Sequence, residues 1–257
     1  RWENETLALE NSIELRDDFS LRGRCEMFRV NLDSMVAAHQ LHQGSNLRGH
    51  LVWARYQHFQ RLLSIRNVPT EFEDEEILQF FRDTNDPDLY MERNAMSRSE
   101  FRKLVSPLVR SGHLIQDYRG GFRTVEPLRK VDLWEIKRNY LRKLVGDYPV
   151  ITLKQVERLA GASFAPEEIS DVMHDFEDDG TLIKGFLVDD LQDICWGRLD
   201  MLEGMGKISR TRDLVIPPSD PLIHYFGSLL RERFGFGSAY LVFHKEEPIA
   251  AFKANTR

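Results

Sequence analysis

Between Ser34 and Thr70 the chain carries no acidic residue, and this block holds four of its eight histidines, His39, His42, His50 and His58. Gln40 and Gln43 lie among them, and Arg48 and Arg55 follow. Neutral carboxamides and imidazoles at this density can align a water for attack or read the edges of nucleobases. His42 or His50 could pair with a phosphate or serve as an acid, and a satisfied structural role is the competing assignment for each. His39-x-x-His42 has no carboxylate or cysteine nearby, so no metal site is expected. The two cysteines, Cys25 and Cys195, lie far apart without metal-ligand spacing and read as reduced thiols. No phosphate-binding loop or nucleophile elbow occurs. The only double glycine, Gly120-Gly121, falls in a hairpin turn. No cofactor is expected in this stretch of chain.

The second chemical signal is the distribution of charge. The net formal charge of −6 argues against a polyanionic partner, but it is a sum of opposed blocks. Residues 34–70 carry +4 and 93–143 carry +8, while 71–92 carry −8 and 144–200 carry −9. Arg98, Arg102, Lys103 and Arg110 fall on one predicted helix, and Arg119 and Arg123 on the hairpin after it. With Arg48, His50 and Arg55 these are the candidate DNA contacts, forming a footprint from Arg48 and Arg55 through Arg102 to Arg123. Docking of acidic blocks onto basic ones within the molecule is the alternative use of the same charges.

Elements must position these residues. Apolar spacing from Val30 to Leu63 predicts two helices broken at Gly44-Ser45-Asn46, with Ser45 or Asn46 capping the second. Acids at 71–76 open a further helix ending near Asp86-Pro87. Ser97-x-x-Glu100 is a capping box opening a helix that Gly112 stops, with Pro107 as a possible kink. Strands are expected at 113–116 and 122–125 around a tight turn at 118–121. The order then recurs: a helix at 132–145, a short helix after Thr152, and a third opened by Pro166 and stopped by Gly180. Strands follow at 182–188 and 193–196. Helix, helix, hairpin is a helix-turn-helix with a wing. The last of these helices carries Glu167, Glu168, Asp171, Asp175, Glu177, Asp178 and Asp179, a face that repels phosphate. Beyond 200, a turn-rich linker at 216–221, a helix at 222–234 and a hairpin at 239–252 look like the start of a β-barrel. Segment 5–15 reads equally as strand or helix.

The fold class expected is α+β, mainly helical: tandem winged helices followed by a partial hairpin or barrel. The domains expected are an N-terminal helical domain, or degenerate winged helix, at 1–92; winged helices at 93–131 and 132–200; and a truncated barrel-like domain at 201–257. No membrane span or leader segment is read, so a cytoplasmic protein is expected. The chain begins at Arg1 and ends just after a hairpin, which reads as a piece of a longer protein.

The stretch His50-Leu-Val-Trp-Ala-Arg55, the two winged helices, and Asp220-Pro-Leu with Arg233-Phe-Gly-Phe236 together resemble winged-helix DNA glycosylases of the AlkZ/YcaQ type. They also resemble the related C-terminal region of Lhr-type superfamily-two helicases. In the glycosylases a Gln-x-Gln or Gln-x-Asp pair is implied to hold the attacking water. The matching place here is Gln40-Leu41-His42, with Gln43 beside it, so the resemblance implies Gln40, His42 and Gln43 as catalytic candidates. The changed second partner favours a non-catalytic reading. The expectation is therefore a DNA-binding accessory region of a helicase or repair protein, with DNA and an upstream helicase motor as partners. A glycosylase excising a damaged base and a winged-helix protein-interaction module are the alternatives.

Overall fold

The computed structural model describes residues 32–38, 41–69, 74–146, 150–186 and 193–199, and beyond these Leu202, 214–216, Pro218, 227–235, 239–244 and 247–253. A short helix, α1 (Leu32–Ala37), leads into a hairpin of β1 (His42–Ser45) and β2 (Leu51–Ala54). Helices α2 (Tyr56–Arg66), α3 (Glu75–Asp83), α4 (Pro87–Arg93) and α5 (Arg98–Ser111) follow, then β3 (Leu114–Asp117) and β4 (Phe122–Thr124). These four strands form one antiparallel sheet in the order β2-β1-β3-β4. The pairing of β1 with β3 runs across position 92/93.

The hairpin corrects the sequence reading, which had helix through this block. Ser45 does not cap a helix. It ends β1, and the Asn46 side chain instead accepts hydrogen bonds from the Arg48 and His50 backbone N–H groups, closing the turn. Burial along β2 alternates, with Val52 and Ala54 inward, the period of a strand and not of a helix. Gly44 explains the tight packing: a Cβ there would lie 2.6 Å from an Ile115 methyl and 2.7 Å from the Phe59 ring. Helix α2 begins only after Arg55, whose extended backbone makes it the N-cap. The helix opened by the acids, α3, ends at Asp83, just short of Asp86-Pro87, and that pair itself opens the next helix. Pro87 is at the first turn of α4, and the Asp86 carboxylate accepts from the Asp88 and Leu89 N–H groups.

The next unit runs α6 (Leu133–Gly146), β5 (Val150–Thr152), α7 (Leu153–Ala160), α8 (Pro166–Asp178), β6 (Ile183–Gly185) and β7 (Cys195–Gly197). Its sheet has the order β5-β7-β6. Thr152 caps α7, as its sequence predicts, through a capping box with Gln155. The acids of α8 meet the bases of α6: Lys137 with Glu168 at 2.7 Å, Arg138 with Asp175 at 3.3 Å, Arg142 with Asp179 at 3.4 Å. Intramolecular pairing therefore takes up part of both charge blocks.

Beyond 200, β8 (Leu214–Ile216), α9 (Gly227–Phe234), β9 (Tyr240–His244) and β10 (Glu247–Phe252) are described. The strands pair in the order β10-β9-β8, an open three-stranded sheet. The expected barrel is thus not formed among the described residues: closure needs more strands than three. Segment 5–15 lies outside the described residues. None of the described helices is long and apolar enough to cross a membrane.

Two apolar clusters hold the structure. One joins α2 (Phe59, Leu62) to α6 (Tyr140, Leu141) and α8 (Val172, Phe176). The other is an aromatic box of Phe81, Tyr90, Phe101 and Phe122, with Phe101 and Phe122 each about 5.6–6.2 Å from Phe81. It locks α3, α4 and α5 onto β4.

Candidate nucleic-acid interface

Helix α5 is built from its cap outward. The Ser97 Oγ accepts from the Glu100 N–H, and the Glu100 carboxylate accepts from the Ser97 N–H at 2.8 Å. Hydrogen bonds from the Ser97 hydroxyl and backbone hold the Glu100 carboxyl below the usual carboxylate range. Phe101, Val105 and Leu108 are buried against the sheet. Arg98, Arg102 and Arg110 follow at multiples of four residues, an exposed stripe beside that buried face. Pro107 is inside the helix, which continues to Ser111.

Opposite α5 stands the sheet. In register across its strands, Trp53, Gln43, Gln116 and Phe122 share one face. The β3–β4 turn is set by Asp117, whose Oδ1 accepts from the Arg119 and Gly121 N–H groups at 2.8 and 2.9 Å. The Asn85 carbonyl accepts from the Phe122 N–H at 3.0 Å and ties this turn to the start of α4. A Cβ on Gly121 would lie 2.8 Å from that same carbonyl, so glycine is required there.

Hairpin and helix are held apart at a fixed spacing by Arg66 from α2. Its guanidinium donates to the Ser111 carbonyl at the end of α5 (3.0 Å) and to the Ser45 carbonyl at the end of β1 (3.0 Å), and also to Asn46 O. One planar fork thus bridges two elements. Gly112, at φ +90°, leaves room for it.

Between α5 and this sheet face lies an open groove of about 800 Å³. Arg98, Arg102, Arg110 and Arg119 line it, together with Gln43 and Gln116. Phe101, Val105 and Phe122 contribute an apolar floor, and Leu51 and Met91 reach it from the hairpin and α4. Asp88 is also at its edge, 3.9 Å from Arg98 with both side chains largely in water. Among the described residues, no group of three or more His, Cys, Asp or Glu side chains could hold a metal ion.

Of the sequence candidates, Gln43, Arg98, Arg102, Arg110 and Arg119 come together in this groove. The others do not. Gln40 lies outside the described residues. His42 is buried (2% exposed) on the other sheet face, its ring 6.1 Å from that of Tyr56. Arg123 is on that same opposite face, its guanidinium 4.2 Å over the Tyr56 ring. Lys103 is exposed on α5 beside the arginine stripe. Arg48 is exposed in the β1–β2 turn, with its stem beside Gly161 between α7 and α8. His50 is half-buried at the end of that turn, and Arg55 caps α2. Gln116 and Leu51 were missed by sequence reasoning, because only strand register places them beside Gln43.

The fold is of a mixed kind, mainly helical with small antiparallel sheets. No protein-family model matches the chain, and no curated relative does. Among solved structures it is similar to the DNA glycosylase AlkZ of Streptomyces sahachiroi, at 14% identity and a TM-score of 0.55, over 93% of this chain and 78% of that one. At this identity the likeness is one of fold.

Proposed function

We propose that this chain binds DNA along the α5 groove and works in DNA repair as a glycosylase-type protein. The observation that carries the reading is the convergence of Arg98, Arg102, Arg110 and Arg119 from a helix and the hairpin turn after it onto one groove. A repeated cation spacing on a helix with a fourth cation facing it suits a phosphate backbone. The fold shared with a DNA glycosylase adds to it, and it moves this reading ahead of the helicase-accessory role and helicase motor expected from sequence. We read α6 to β7 as a winged helix that acts as scaffold, because the outward face of α8 presents Glu167, Asp171 and Asp178. Gln43 is the candidate for ordering a water at the groove, since His42 faces the core. A base to be excised must leave its stack to reach it.

Fluorescence anisotropy with single-stranded, duplex and forked DNA over a salt series tests the binding. Affinity should fall linearly in log–log form, and Arg102→Ala should reduce the slope by about 0.7–0.9. No binding to any form at low salt would remove the proposal. Release of damaged base from an alkylated duplex tests the enzymatic part; DNA binding without release would leave a DNA-binding accessory.

A further inference from the structure

The composition of the groove points to a particular form of DNA. Resting on the reading that DNA occupies the groove, we infer that its occupant is a run of unpaired nucleotides, with bases against the apolar side chains Leu51 and Met91 and phosphates on the arginine rim.

Intact duplex presents its charged backbone outward and keeps base faces stacked inside. A surface that grips only such a backbone needs cations and polar donors, and an apolar floor would strip water from phosphate oxygens without replacing it. Here Leu51 and Met91 give the groove accessible apolar surface above Phe101, Val105 and Phe122, which are each under a tenth exposed, and the cations stand at the sides. Leu51 keeps 46% of its surface in water at the lip, an apolar side chain with an open groove beside it. Unpaired bases have free faces to cover such surface, as strand-binding proteins use them. They also have free hydrogen-bonding edges. Gln43 and Gln116, directly opposite in strand register and both half-buried, offer carboxamides that donate and accept, with Gln116 Nε2 also donating to the Gly120 carbonyl at 3.2 Å. Arg98 to Arg110 spans about 18 Å of helix at 1.5 Å per residue, enough for several nucleotides in a row.

The test is anisotropy with the whole chain, comparing a labelled single strand with a blunt duplex of equal phosphate number, and a single-stranded RNA of the same sequence. The single DNA strand should bind more tightly than the duplex. Leu51→Ser should weaken single-strand binding by about fivefold to tenfold, and Gln43→Ala by about fivefold. In both variants duplex affinity should fall less than single-strand affinity. Leu51 is exposed, so its replacement spares the core, and circular dichroism checks the fold. Equal or tighter duplex binding, or equal losses on both forms, would overturn this inference while leaving DNA binding intact. A preference for the RNA strand would overturn the assignment to DNA. Absence of binding by every nucleic acid would instead overturn the proposed function itself.

Discussion

His113 illustrates how a residue acquires a role from its surroundings. It follows the Gly112 stop, is buried, and its Nδ1 lies 2.8 Å from Ser111 Oγ. Burial pushes its pKa below the ordinary imidazole value, and a hydrogen bond with the Val68 backbone opposes this in part. The folded state therefore holds the ring neutral where the unfolded chain would protonate it. With the folded pKa below the unfolded one, the unfolded state binds more protons between the two values. Stability is full above about pH 6.5 and is lost as the pH falls through the folded pKa. Urea midpoints measured from pH 7.5 down to 5 should decline below about 6.5. The decline should be shallower in His113→Gln, and an equal decline in both proteins would assign the effect elsewhere. The same contrast of type and place separates His42 from Gln43. They are neighbours in sequence, yet the two-residue period of a strand sends one to the core and the other to the groove.

At the scale of elements, the groove depends on how α5 and the β1–β2 hairpin are spaced. Arg66 sets that spacing by donating to carbonyls of both. Arg66→Ala would leave the Ser45 and Ser111 carbonyls without this donor in a half-buried place. It should cost about 1–3 kcal/mol of stability, read as a lowered urea midpoint with unchanged slope. DNA affinity should fall as well, although Arg66 does not line the groove. Arg66→Lys should restore little, since an ammonium cannot span both ends as a planar fork does. Full retention of stability in Arg66→Ala would show that the spacing is set by packing alone. The capping box at Ser97, the helix start after Thr152, Pro166 at the first turn of α8 and the stop at Gly112 were all legible in sequence, because each is a local pattern; the Gln155 half of the Thr152 box was not read. The hairpin at 42–54 was not. Leu41, Leu51 and Val52 suit a helical stripe equally well, and only pairing with β3, more than sixty residues on, decides between them.

For the molecule as a whole, the four-stranded sheet is the common partner of both apolar clusters. Ile115 and Val52 belong to the cluster containing α2, α6 and α8, whereas Leu114 and Phe122 belong to the aromatic box. Adjacent residues of one strand thus pack into different cores, and opening one core strips a face from the other. Native-state hydrogen exchange should give the amides of Ile115 in β3 and Val172 in α8 the same opening free energy. A clear difference between them would mean that the two halves unfold separately. Sequence by itself determined the local grammar: helix caps, the β3–β4 turn and the alternation of charge blocks. Those follow from chemistry within a few residues. Tertiary structure alone decided which charges are spent and which are offered. Lys137, Arg138 and Arg142 are paired across to α8, while Arg98, Arg102, Arg110 and Arg119 face a common groove. Spacing along the sequence named Arg98, Arg102, Arg110 and Arg119 among its candidates, but ion pairing and strand register act between residues remote in the chain, and only they separate these four from Arg123 and from the paired bases of α6.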